Sequence, residues 1–73
     1  MKARYHINVF YSDEDECYIA DIPDLKYCSA HGDTPEEALR EVLIAQELTL
    51  ESMREARERV PKAKYRPAVY ELV

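Results

Sequence analysis

The sequence has a single glycine, Gly32, among 73 residues, and this scarcity excludes the sites that are built on glycine. There is no glycine-rich phosphate loop and no glycine-flanked serine to serve as a nucleophile. Cysteine is nearly as sparse. Cys17 and Cys28, taken with His6 and His31, show none of the short pair spacings of zinc sites, so no metal or other cofactor is expected, and both thiols read as small hydrophobes in a sheet. No charged-then-apolar leader and no apolar run long enough to span a bilayer is present, which together with the cysteine usage fits a reducing cytoplasm and no membrane partner. Basic residues are outnumbered, 10 Lys and Arg against 15 Asp and Glu, for a net charge of −5 and an isoelectric point near 4.9. Phosphate-backbone binding needs clustered cations, so direct nucleic-acid binding is not expected and a basic partner is. The six tyrosines lack the positive groove of a base-stacking platform, and core and interface packing is their expected use.

What is present describes one globular domain covering residues 1–73, with 47% hydrophobic and 34% charged residues. At this length only about 60% of the unfolded surface is buried, so self-association is a common remedy for the small core. The chain is organised around His31-Gly32-Asp33-Thr34-Pro35-Glu36-Glu37-Ala38-Leu39, where an extended region ends and the only long helix begins. Thr34 is placed as N-cap, Glu37 completes a capping box, and Pro35 falls on the first helical position. Asp33, Glu36 and Glu37 put negative charge at the positive end of the helix dipole. Gly32 stands where the chain must turn sharply, and a positive φ is expected there.

Residues 4–11 alternate, with Tyr5, Ile7, Val9 and Tyr11 on one side and His6, Asn8 and Phe10 on the other, which predicts a first strand. The acidic run Ser12-Asp13-Glu14-Asp15-Glu16 is a hairpin connection, 17–22 a second strand stopped by Pro23, and 27–30 a short third strand. The helix is predicted from Pro35 to about Arg59, because Pro61 forbids much further extension. Its apolar face holds Ala38, Leu39, Val42, Leu43, Gln46, Thr49, Leu50, Met53, Ala56 and Val60. Ile44 and Leu48 lie off that face, flanked by Glu37, Glu41, Glu51 and Glu55. They are either scattered surface hydrophobes or a contact. Residues 68–73 alternate again and predict a fourth strand. The fold class is α+β, an antiparallel β-β-β-α-β arrangement with one sheet covered on one face by a single long helix.

Asp13, Asp15, Asp21 and Asp24 suggest a magnesium set for nucleic-acid cleavage, but turn chemistry accounts for Asp13, Asp15 and Asp24 without it. No catalytic residue is assigned and an enzyme is not expected.

The run from Tyr5 to Tyr11, the acidic hairpin, Tyr18-Ile19-Ala20-Asp21-Ile22-Pro23-Asp24-Leu25, Cys28 and Gly32-Asp33-Thr34-Pro35-Glu36-Glu37-Ala38-Leu39 resemble the amino-terminal domain of HicB antitoxins over nearly the whole chain. The resemblance implies a partial ribonuclease H-like fold without the catalytic carboxylates, acting as inhibitor of a small basic messenger-RNA-cleaving HicA toxin. Two departures stand out. Lys26-Tyr27 replaces the family's Pro-Gly, and Glu14-Asp15-Glu16 stands where the family has a hairpin glycine. Full antitoxins carry a DNA-binding module after this domain, whereas this sequence stops at Val73, so DNA binding is not expected. The expected function is a non-enzymatic, antitoxin-like protein-binding module, with a solitary oligomerisation domain or a residual metal-dependent nuclease as alternatives. The expected partner surface is Asp13, Asp15, Tyr18, Asp21 and Asp24, facing basic side chains. Self-association, a dimer before a tetramer and sheet edges before helix backs, is expected to use Ile44, Leu48, Val69 and Tyr70.

Overall fold

The computed structural model describes residues 5–65. The fourth strand expected at 68–73, with Val69 and Tyr70, lies outside the described residues. The elements run β1 (Asn8–Ser12), β2 (Cys17–Asp21), β3 (Ser29–Gly32) and α1 (Pro35–Glu55). The strands form one antiparallel sheet in the order β1-β2-β3, and the helix covers one of its faces. This is the expected α+β class with the expected β-β-β-α order.

Register fixes which side chains meet the helix. Val9 pairs with Ala20 and Ala20 with Ala30, while Tyr11 pairs with Tyr18 and Tyr18 with Gly32. Ala20 is completely buried, and Tyr18 and Ala30 pack against the core, so these two rows lie under α1. Because side chains alternate along a strand, Phe10, Ile19 and His31 make a row on the opposite face. The core unites Tyr5, Ala20, Ile22, Leu25, Cys28, Ala38, Val42 and Leu50.

Boundaries differ from the sequence expectation for identifiable reasons. β1 begins at Asn8 and not at residue 4, because the ladder ends at the Asn8–Asp21 pair and the next N–H, that of Ile22, turns to the Cys28 carbonyl at 3.0 Å. Tyr5 nevertheless keeps its inward side, and its hydroxyl donates to the Pro61 carbonyl. β3 starts at Ser29, two residues later than expected, since Tyr27 has φ 59° and cannot continue a strand. The helix start agrees: Thr34 is the N-cap, its Oγ1 accepts from the Glu37 N–H at 3.1 Å, and Pro35 opens the first turn.

The helix end does not agree. α1 stops at Glu55 with Ala56 as C-cap, four residues short of Arg59. The Glu58 N–H reaches the Met53 carbonyl at 2.8 Å, the Arg57 N–H reaches Arg54 at 3.0 Å, and Arg57 has φ 59°. These are the bonds of a Schellman motif, with arginine in the left-handed position that glycine usually takes. The expected helix face is also rotated. Ala38, Val42, Gln46 and Leu50 are buried and Ala45 packs on the core, but Leu39 and Leu43 are 38% and 41% exposed and Ala56 is exposed.

Gly32 corrects another expectation, for no glycine has positive φ. The left-handed positions belong to Glu16, Tyr27 and Arg57. Glu16 closes the hairpin and Tyr27 the loop before β3. Left-handed backbone costs a non-glycine residue about 1–2 kcal/mol, and glycine gives part of that back in chain entropy. Tyr27→Gly is therefore expected to raise stability by about 0.5–1 kcal/mol, read as a higher urea midpoint with an unchanged slope. Tyr27→Ala, which keeps the strain, serves as the control.

Candidate functional site

The five residues expected to face a partner fall in three places. Asp13 and Asp15 are exposed in the turn between β1 and β2. There the Ser12 hydroxyl donates to the Asp15 carboxylate at 3.1 Å and accepts from the Asp15 N–H at 3.2 Å. Tyr18 is half-buried on the helix-facing side, its ring edge-on to Tyr11 with centroids 5.1 Å apart. Asp21 sits at the other end of β2 on the opposite face. Asp24 faces inward to the chain's own backbone, accepting from the Lys64 and Tyr65 N–H groups at 3.2 Å. The structure does not assemble the four aspartates into one acidic site. Among the described residues, no group of three or more His, Cys, Asp and Glu residues is placed to hold a metal ion.

A different site emerges between the sheet edge and the helix. β3 pairs only with β2 among the described residues, and between it and α1 lies a groove of 660 Å³. Ile44 and Leu48, 51% and 62% exposed, form one apolar wall with Ala45 beneath them. Asp33, Glu37 and Glu41 supply the acidic rim. The off-face position of Ile44 and Leu48 was readable from helical spacing, but their pairing with β3 depends on tertiary placement. At the other end of β3 the Tyr27 ring stands wholly in solvent on its left-handed backbone.

The groups with displaced pKa values lie away from this groove. Burial pushes the Cys28 thiol up, and a hydrogen bond with the Thr49 side chain partly opposes it. Such a thiol is protonated and unreactive at neutral pH. Burial, and secondarily the Asp24 charge, raises Tyr5. Both folded values lie above the ordinary 9.0 and 10.0. The stability they lend is therefore complete below those values and is lost as pH rises through the folded ones. Chemical denaturation is expected to show a falling midpoint above about pH 9, with a shallower fall in Tyr5→Phe.

No helix among the described residues is long and apolar enough to cross a membrane. Comparison with family models, curated proteins and solved structures returns no match to this chain.

Proposed function

We propose that this chain is a non-enzymatic protein-binding module of the reducing cytoplasm that neutralises a small basic toxin of the messenger-RNA-cleaving HicA type. One observation carries the reading: an exposed apolar pair, Ile44 and Leu48, set among the carboxylates of Glu37, Glu41, Glu51 and Glu55 on a chain of net charge −5. Apolar contact supplies affinity at such a surface, while charge of the opposite sign speeds encounter and selects the partner. The HicB-like pattern of the sequence supplies the toxin class.

The test is co-expression with a HicA-type toxin in a toxin-sensitive host. Restored growth and co-purification support the reading, with an association rate that falls steeply as salt is raised. Unrelieved growth arrest at matched expression overturns it, as does magnesium-dependent RNA cleavage by the purified chain that Asp21→Asn abolishes.

A second reading, self-association, draws on β1, an edge among the described residues whose Val9, Phe10 and Tyr11 are 39%, 50% and 51% exposed. Exposed apolar edges invite pairing with another copy, and a two-fold dimer is the commonest closed outcome. Sedimentation of the wild type and of an Ile44→Glu, Leu48→Lys variant separates the contacts. A dimer that survives the substitutions excludes the helix back as the contact, and a wild-type monomer at high concentration removes the reading.

A further inference from the structure

Resting on the reading of this chain as a binder of a basic protein, we infer that the groove between β3 and α1 is a strand-docking site, which takes an extended cationic segment of the partner as an additional strand on β3. Among the described residues β3 has no neighbour on its outer edge, and backbone donors and acceptors along such an edge are the usual means by which an extended peptide is captured. The groove lies directly beside that edge, where an added strand would run. Spacing matches as well. Alternate residues of a strand stand about 6.6 Å apart on one side, and Ile44 and Leu48, one helical turn apart, are offset by about 6 Å along α1. Two inward side chains of the incoming segment, at positions i and i+2, therefore meet Ile44 and Leu48 in turn. The β3 stretch of four residues sets the length of segment that pairs.

Charge decides the occupant. A second copy laid against this flank with its helix reversed would bring Glu37 and Glu41 toward Glu51 and Glu55 of its neighbour. Carboxylates would then face carboxylates. A polyanion meets the same acidic rim of Asp33, Glu37 and Glu41. Alternate residues of a strand share one face, and Glu37 and Glu41 continue the same line of α1 as Ile44 and Leu48. A segment with apolar residues at two successive inward positions and lysine or arginine at the next two therefore satisfies both the wall and the rim. Tyr65, the last described residue, is held beside His6, with ring centroids 4.9 Å apart. That contact lies ahead of β1, on the opposite edge of the sheet from β3.

The experiment titrates the isotope-labelled full-length chain with the synthetic peptide Lys-Thr-Lys-Thr-Val-Thr-Val-Thr, which sets both lysines and both valines on one strand face, at low salt, recording amide shifts and amide exchange. The expected result is saturable binding, with shifts concentrated at 29–33 and 44–48 and slowed exchange within β3. Two peptide controls separate mode from charge. Glutamate in place of lysine is expected to abolish binding, and N-methylation of alternate residues, which removes backbone donors, to weaken it about tenfold. Ile44→Ser with Leu48→Ser, at exposed positions where folding is retained by circular dichroism, is expected to weaken it to a similar degree. Equal binding of the N-methylated peptide, shifts confined to the 13–16 turn or to the Phe10 and Ile19 face, or no saturation overturns the inference. So does slow exchange, in the free chain, of the β3 amides that point away from β2, which would mean that a second copy or residues 66–73 already occupy the edge. The outcomes remain separable from the functional reading. Toxin neutralisation by the double serine variant as efficient as by wild type removes the groove and leaves the function, whereas peptide capture without neutralisation does the reverse.

Discussion

Replacement of Ile22 by alanine is expected to remove about 2–5 kcal/mol of stability, the range for truncating an enclosed aliphatic side chain. Ile22 is 1% exposed and, with Val42, is among the largest fully buried side chains of the described residues. Its surroundings have little freedom to collapse into the space left. The Ile22 N–H is tied to the Cys28 carbonyl at 3.0 Å and its carbonyl to the Leu25 N–H at 3.1 Å, so the backbone is pinned on both sides of the side chain. A domain of 73 residues has about 4–11 kcal/mol in total at typical values per residue. The lower end of the loss should depress the thermal midpoint by roughly 10 °C, and the upper end leaves a largely unfolded population at physiological temperature. Urea denaturation at constant slope checks the value, and Ile22→Val, at about 0.5–1.5 kcal/mol, gives the graded comparison.

The second large effect is expected at Gly32. An alanine Cβ there would lie 2.6 Å from the Ala38 nitrogen, 2.8 Å from the Glu37 Cβ and 2.9 Å from the Glu37 carbonyl carbon. Two of these three are backbone atoms of the first helical turns, so relief requires α1 to move off the sheet. That movement also disturbs the Thr34 cap and the packing of Ala38, which is completely buried. A loss of about 1–3 kcal/mol is expected for Gly32→Ala, as for other overpacked sites. Asparagine discriminates the cause. It tolerates left-handed backbone better than alanine does, so a conformational requirement would favour Gly32→Asn, whereas a steric one makes asparagine the worse of the two. With no positive φ at this glycine, the steric order is expected in a denaturation series.

How much of this was readable from the residues follows from where each signal resides. The helix start was, because Thr34 and Pro35 act on their own neighbours. The helix end was not: the Schellman turn carries Arg57 where a glycine would have announced it. Likewise Tyr27 conceals a left-handed residue, and β3 begins later than its composition suggests. Leu39 and Leu43 were recognisable as apolar, but with Gly32 packed closely on Ala38 the helix turns Ala38, Val42, Gln46 and Leu50 toward the sheet and leaves both leucines on its flank. The acidic character of the candidate site was plain in the charge count. Its location was not, because the groove joins β3 to Ile44 and Leu48, 12 or more positions further on, and because Asp24, one of the expected partner contacts, turns back on its own chain.

That inward turn of Asp24 bears on the order in which the chain folds. Its bonds to the Lys64 and Tyr65 N–H groups span 40 and 41 residues, whereas β1 and β2 are joined by a short turn and α1 is built from contacts within itself. Loop-closure entropy delays contacts between distant residues until intervening structure has shortened the effective loop. The hairpin and helix are therefore the early structures, and the 61–65 segment is seated after them. In the reverse direction that segment is the first to release, and Lys64 and Tyr65 should exchange their amide hydrogens by a local opening, well before the strands exchange theirs.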